Sequence, residues 1–167
     1  MIHTIAEFEK YWKRESEATC KLLEQLTDKS LAQAVAPQDR TLGRMAWHIV
    51  TTIPEMAGRT GLKIAGPKHD DPVPTTAAAI LLGYNLAAQS VLDQVKANWK
   101  DSSLDQEDDM YGERWKRGET LATLITHQTH HRGQMTVLMR QAGLKVPGVY
   151  GPAREEWAAY GMAAPEV

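Results

Sequence analysis

The feature that most constrains the fold is a set of long segments whose apolar residues recur every three to four positions. The clearest covers 4–26, where Ile5, Phe8, Trp12, Leu22, Leu23 and Leu26 share one broad face. This spacing predicts an amphipathic α-helix. Similar patterns predict helices over 42–58, 75–99 and 119–141. No convincing run has the period of two that marks a half-buried strand, and one short extended piece is expected at 110–115. Four helices with apolar faces indicate an all-α bundle.

Local signals place the ends of these helices. Thr41 is a suitable N-cap for the second helix, and Gly143 ends the fourth. Pro54 should kink the second helix or end its regular part. A short C-terminal helix is expected after Pro152.

Length, net charge and cysteine content limit the kinds of protein that this chain can be. The chain has 167 residues, which suits a single domain over 1–167. Its net charge of −2 favours neither a nucleic acid nor a membrane surface as partner. We find no signal-peptide core and no apolar run long enough to span a bilayer, so a cytoplasmic location is expected. The single cysteine, Cys20, excludes an internal disulfide and a cysteine-built zinc site.

Half of the chain's six histidines lie in the stretch HQTHH, at 127, 130 and 131. On an α-helix, His127 and His131 are one turn apart and about 40° apart around the axis. Two neutral imidazoles so placed can bind one divalent ion at roughly 2.0–2.1 Å each. His130 lies about 60° to the other side of His127, so we expect it on the flank. Such a pair also arises by chance, and alone it is weak evidence for a metal.

A third histidine strengthens the hypothesis. His48 lies in the apolar stretch RMAWHIV, where a buried imidazole needs a hydrogen-bond partner or a metal. A core histidine with a hydrogen-bond partner is the usual case for such a residue. Together with His127 and His131, however, it can form a three-histidine site with one open position, as in catalytic metal sites. Gln128 occupies the place of a zincin glutamate, so metalloprotease chemistry is not supported.

With these residues the chain resembles the DinB-like superfamily, the DNA-damage-inducible metal-binding family. The family signature is a distant histidine followed by His-x-x-x-His-Arg-Gly-Gln. Here it corresponds to His48, His127, His131 and residues 132–134. The stretches RGETLATLITH and PGVYGPAREEWAAYG are also similar, so the resemblance covers nearly the whole chain.

The resemblance implies an up-down-down-up four-helix bundle, usually a homodimer. It also implies one divalent metal ion, zinc or nickel, bound by His48, His127 and His131. Characterised relatives transfer low-molecular-weight thiols such as bacillithiol or mycothiol. We therefore expect a metal-dependent thiol transferase that acts on a small electrophile. The alternatives are a metal-dependent hydrolase and a non-catalytic metal-binding module for stress response or ligand binding. No catalytic or thiol-binding residue can be assigned.

Other residues were considered as parts of the site. Glu55 and Glu15 can line the cleft as a general base, although solvated surface carboxylates are the favoured interpretation. Gln134 can orient a ligand histidine or a bound water, or it can join two helices by a hydrogen bond. Tyr150, in the GVYGP turn, is a weaker candidate for the cleft mouth.

Two further residues of the signature have expected structural roles. Arg132 points about 100° from His131, so we expect it to pair with a carboxylate or with a neighbouring subunit. Gly133 should permit close helix packing.

Overall fold

The computed structural model describes residues 1–166. It contains four α-helices and one small hairpin: α1 (Ile5–Leu23), α2 (Leu42–Gly58), α3 (Ala77–Asn98), β1 (Glu107–Met110), β2 (Glu113–Lys116) and α4 (Arg117–Gln141). Short 3₁₀ turns lie at Asp28–Ala32, Asp101–Asp105 and Trp157–Tyr160. The all-α bundle is confirmed, and the short C-terminal helix after Pro152 is the last of these turns. None of the helices in this range is long and apolar enough to cross a membrane.

Helix α1 is flanked by α3 and α4, and paired side chains give their directions. Lys96 Nζ lies 2.8 Å from Glu9 Oε1, and the indole of Trp12 donates to the carbonyl of Ala88 at 2.9 Å. Later residues of α1 thus meet earlier residues of α3, so these helices are antiparallel. Helix α4 is parallel to α1, because the amide of Ile2 bonds to Gly118 and, further along both helices, Glu15 bonds to Arg132.

Helix α2 lies beside α3 and runs parallel to it. The connector between them packs against both helices. A Cβ on Gly66 of this connector would lie 3.0 Å from Ala87 of α3 and 3.6 Å from Pro54 of α2. One turn earlier on both helices, a Cβ on Gly83 would lie 3.4 Å from Val50. Helices α1 and α4 therefore run one way and α2 and α3 the other, which confirms the up-down-down-up topology.

The predicted helix boundaries hold to within three positions, and Pro54 does not end its helix. Thr41 caps α2 by accepting a hydrogen bond from the Arg44 amide at 3.1 Å. Pro54 does not end α2, which continues to Gly58. A proline removes one backbone donor, and the burial of the following turn at Met56 in the core favours the continued helix. Helix α4 starts at Arg117, two positions before the predicted 119.

Gly118 at the start of α4 is required by close packing. A Cβ at this position would lie 2.2 Å from the carbonyl oxygen of Ile2. The Ile2 amide in turn donates to the Gly118 carbonyl at 3.0 Å. The glycine therefore allows the N-terminal segment to dock against α4.

The predicted extended piece at 110–115 is a two-stranded hairpin. The strands pair in antiparallel register from Glu107 opposite Lys116 to Met110 opposite Glu113. The turn residues Tyr111 and Gly112 have φ values of 60° and 89°, as a two-residue hairpin turn requires. A sequence pattern of period two was not detectable because each strand has four residues.

A buried ion pair joins α1 to α4. Glu15 and Arg132 are 6% and 3% exposed, and the guanidinium of Arg132 bonds to the Glu15 carboxylate. Arg132 also donates to the Glu15 carbonyl at 2.7 Å and to Thr19 Oγ1 at 3.1 Å. Burial raises the pKa of Glu15, but hydrogen bonds from Tyr150 and Arg132 outweigh it and lower the pKa overall. The expected carboxylate partner of Arg132 is confirmed, whereas the interpretation of Glu15 as a solvated surface group is wrong.

We expect Arg132→Met to lower the free energy of unfolding by about 3–5 kcal/mol, because Glu15 is then left as a buried unpaired charge. Urea unfolding at neutral pH measures the loss. The double variant Glu15→Leu/Arg132→Met should recover part of it, since neither charge remains. The control is Arg140→Met, which breaks a pair between half-buried groups and should cost about 1 kcal/mol or less. Equal losses for Arg132→Met and Arg140→Met would contradict a stabilising role for the buried pair.

Candidate metal centre

The fold brings His48, His127 and His131 together between α2 and α4. Each offers one ring nitrogen, and these atoms lie within 4.8 Å of one another. The Nε2 atoms of His127 and His131 are 3.2 Å apart. The centroid of the His48 ring lies 5.0 Å from that of His127 and 4.7 Å from that of His131. His48 and His127, which are 79 positions apart in the sequence, thus belong to one cluster, as predicted.

Local structure holds each ring in place. His48 lies one turn before Thr52, whose hydroxyl donates to the His48 carbonyl at 2.7 Å. The residue after His48, Ile49, is fully buried and fixes the orientation of this turn of α2. On α4, Leu124 and Met135 are fully buried on either side of the two histidines. The core contacts thus set the rotation of both helices and direct the three rings toward one another.

The environment keeps the imidazoles neutral. Burial lowers the pKa of His48 and His127 from 6.5 to about 4, and the positive charges of neighbouring histidines and Arg40 act in the same direction. The pKa of His131 is also lowered, again by burial first, although the hydrogen bond that its ring donates to Gln134 acts in the opposite direction. At pH 7 all three rings are therefore neutral, which is the form that binds a metal.

The three rings fit a bound ion. Two imidazole nitrogens that coordinate one tetrahedral ion at roughly 2.0–2.1 Å are about 3.3 Å apart, close to the distance observed between His127 and His131. Two nitrogen lone pairs at this distance repel each other unless a proton or a cation lies between them. Nδ1 of His127 is buried and has no hydrogen-bond partner within residues 1–166. His127 is therefore not a core histidine whose polar atoms the protein satisfies.

Gln134 fixes the tautomer of His131. Its Oε1 lies 2.7 Å from Nδ1 of His131, and its Nε2 lies 3.2 Å from Nε2 of His130. The amide accepts from the first ring and donates to the second, so His131 carries its proton on Nδ1. Nε2 of His131 then presents a lone pair to the cluster. Gln134 therefore orients His131, which is one of the two roles predicted for it. His130 is exposed and lies on the flank, as predicted.

Glu55, on the same side of α2 as His48, is held by two donors. Arg59 Nε lies 2.6 Å from its Oε1, and the Tyr111 hydroxyl donates to its Oε2 at 2.6 Å. The guanidinium of Arg59 also lies 4.2 Å from the centre of the Tyr111 ring. Burial, and then the Glu55 carboxylate, raise the pKa of Tyr111 to about 12. Both oxygens of the Glu55 carboxylate thus already accept a hydrogen bond, so the arrangement suits electrostatic positioning better than proton abstraction.

Sequence analysis did not identify Arg59 or Tyr111. The spacing of four between Glu55 and Arg59 on one helix was a signal for the first. No sequence signal links Tyr111 to Glu55, because the contact depends on where the hairpin docks.

A cleft gives access to the cluster. It has a volume of about 470 Å³ and is lined by Val35, Asp39, Arg40, Met45, His131, Gln134, Val137 and Leu138. Its walls are largely apolar, and its polar groups lie near His131. A small molecule that enters it reaches the cluster at His131, from the side of α4 that carries Gln134.

Several candidate residues lie elsewhere. The Tyr150 hydroxyl bonds to Glu15 and Arg132 on the α1 side of α4, and Tyr150 does not line the cleft. Gly133 is exposed and a Cβ there would meet nothing within 4 Å, so the prediction of close helix packing at this position is wrong. Cys20 lies in a separate groove between α1 and α3, and burial raises the pKa of its thiol.

Comparisons with known proteins agree with this site. The model of the DinB family matches residues 1–166. The protein YrdA of Bacillus subtilis (strain 168) is 47% identical over 167 residues, which is the full length of both chains. The crystal structure of a DinB-like protein from Bacillus cereus ATCC 10987 is 50% identical and has a TM-score of 0.87, covering 90% of this chain and 100% of that one.

A more distant structure shows the same fold. A DinB-like protein from Bacillus subtilis is 17% identical with a TM-score of 0.68, covering 88% of this chain and 99% of that one. The three-histidine cluster and the match along the described residues together fit a metal-binding DinB-like protein. The chain belongs to the DinB family.

Proposed function

We propose that the protein is a metal-dependent enzyme in which His48, His127 and His131 bind one divalent ion, zinc or nickel. The observation that carries the proposal is the convergence of three neutral imidazoles from two helices, one of which, His131, also lines a cleft. Three protein ligands leave a coordination position open for water or substrate, as in catalytic rather than structural sites.

The reaction we propose is transfer of a low-molecular-weight thiol to a small electrophile. A divalent ion at this site lowers the pKa of a thiol or a water molecule at its open position. Gln134 orients His131, and Val35, Val137 and Leu138 give the cleft beside it an apolar wall. The protein is proposed to work in the cytoplasm, as a homodimer.

Two alternatives use the same residues. With water in place of the thiol, the enzyme is a metal-dependent hydrolase. Without turnover, the protein is a metal-binding stress-response or ligand-binding module. The largely apolar cleft beside His131 favours a bound small molecule over a purely structural ion.

We expect about one zinc or nickel ion per chain in protein purified without an affinity tag, and none in the double variant His127→Ala/His131→Ala. His48→Ala should also lose the ion, because two ligands on one helix form an incomplete site. Elemental analysis with circular dichroism measures metal content and fold together. The matched control is His130→Ala, which removes an exposed histidine of the same helix and should retain the ion.

Gln134→Ala should retain the ion with an affinity lower by about 10–100-fold, since it removes the group that orients His131. An unchanged metal content in His48→Ala, or loss in His130→Ala alone, would refute the assignment of ligands.

The metal-free protein should lose stability as pH falls from about 6.5 toward 4. His48 and His127 have a pKa near 4 when folded and near 6.5 when unfolded, so in this range the unfolded chain binds more protons. Urea unfolding with a chelator at pH 7, 6 and 5 measures the slope. His48→Leu removes one of these groups and should give a shallower slope, and an identical slope would contradict the lowered pKa of His48.

A thiol requirement separates the proposed enzyme from its alternatives. We expect the metal-loaded protein to consume 1-chloro-2,4-dinitrobenzene in the presence of a low-molecular-weight thiol and to release chloride. His127→Ala/His131→Ala should show only the uncatalysed rate, whereas His130→Ala should stay active. Ester hydrolysis without thiol would favour the hydrolase. Tight metal binding without either reaction, over a panel of electrophiles and esters, would favour the module.

A further inference from the structure

Two arginines near the histidine cluster have no partner. The side chains of Arg40 and Arg44 make no ion pair, side-chain hydrogen bond or ring contact with residues 1–166. The other arginines are engaged: Arg14 lies over the Tyr150 ring, and ion pairs hold Arg59, Arg114, Arg117, Arg132, Arg140 and Arg154. The two arginines without a partner thus lie four positions apart in the chain, at the start of α2.

Both arginines are close to the proposed site. Arg40 lines the cleft that reaches His131. Arg44 lies four residues before His48 on α2, which places it one turn away on the same side of the helix. The charge of Arg40 lowers the pKa of all three histidines, and that of Arg44 lowers the pKa of His48. The arginine charges therefore act on the whole cluster, and at His127 the Glu55 carboxylate acts in the opposite direction.

This arrangement is locally unfavourable in the absence of an anion. The N-terminal end of a helix carries a partial positive charge, and acidic residues are usual there. The first turn of α2 has no acidic residue and instead has Arg44, with Arg40 just before the cap. Asp39 lines the same cleft, but it has no cation within 4.0 Å among the described residues. Uncompensated positive charge beside a cleft is typical of a site that receives its counter-charge from a ligand.

We propose that Arg40 and Arg44 form a subsite for a carboxylate of the molecule that binds at the histidine cluster. Guanidinium groups bind carboxylates through paired N–H donors, which fix the orientation of the ligand as well as its charge. The apolar side chains of Val35, Met45 and Val137 contact the carbon skeleton between the carboxylate and the reacting group. The substrate class is thus an anionic small molecule, and for the proposed reaction a carboxylate-bearing thiol. The assignment of that thiol rests on the proposed function.

The test compares a charged and an uncharged thiol. Protein loaded with Co²⁺ is titrated with 2-mercaptosuccinate, which has two carboxylates, and with 2-mercaptoethanol, which has none. Absorption of the cobalt–thiolate bond reports binding. We expect Arg40→Gln/Arg44→Gln to weaken the binding of 2-mercaptosuccinate by about tenfold or more, the loss typical of a charge-assisted hydrogen bond. Binding of 2-mercaptoethanol should change less than about twofold, and the matched control Arg154→Gln should change neither.

A second measurement does not need the metal. Succinate is added to the metal-free protein, and the Nε–H signals of the arginine side chains are followed by NMR. The signals of Arg40 and Arg44 should shift, and that of Arg154 should not.

The outcomes separate the subsite from the proposed function. Equal weakening of both thiols in the arginine variant, or no weakening of either, overturns the subsite while thiol binding at the metal stands. If neither thiol changes the cobalt spectrum, the thiol reaction fails and the succinate measurement decides. Shifts confined to Arg40 and Arg44 then support the carboxylate subsite, and their absence overturns it.

Discussion

The structure depends on the polar side chains that α4 buries and on the contacts that they make with the other helices. Gln128, His131 and Arg132 are 0%, 8% and 3% exposed, although they lie in the middle of a bundle helix. A buried polar group without a partner costs free energy, so each requires a contact from another helix or, for His131, from its own. Gln128 accepts from the Tyr84 hydroxyl of α3 at 2.7 Å, and Arg132 pairs with Glu15 of α1. These contacts fix the rotation of α4 and leave His127 and His131 facing α2.

The same arrangement explains the chemistry of the cluster. Core packing forces three imidazoles into close proximity, and burial together with nearby cations opposes their protonation. Burying three imidazoles whose nitrogen lone pairs face one another lowers the stability of the fold. A core histidine with hydrogen-bond partners would not have this cost. Three neutral and converging imidazoles suit a cation, whereas the two proposed arginines near them suit an anion. A ligand that contacts both the histidine cluster and the arginines would therefore carry a metal-binding atom and a negatively charged group.

The spacing of apolar residues and short-range sequence patterns predicted most of the fold and the histidines of the candidate site. The four helices follow from apolar spacing, and Thr41 was recognisable as a cap because its hydroxyl bonds within one turn. Glu15 was misinterpreted because its partner, Arg132, is 117 positions away and no local pattern links them. Tyr111 was missed for the same reason, since its contact with Glu55 depends on the docking of a hairpin. Pro54 shows that packing on the core can maintain a helix against an unfavourable local signal.

The His-Arg-Gly-Gln segment of α4 has both a structural role, through Arg132, and a place in the candidate site, through His131. His131 faces α2 and Arg132 faces α1. Gln134, three positions after His131 on the same helix, accepts a hydrogen bond from its ring. Nothing in the structure of one chain explains Gly133, which is exposed. The indole of Trp12 joins α1 to α3 and Arg132 joins α1 to α4 through polar contacts. Between α2 and α4 the corresponding position holds the histidine cluster, whose rings repel one another when protonated. An ion bound there by both helices would add a cross-link on this side of the bundle. Binding at the site and stability of the bundle would then be coupled through the rotation of α4.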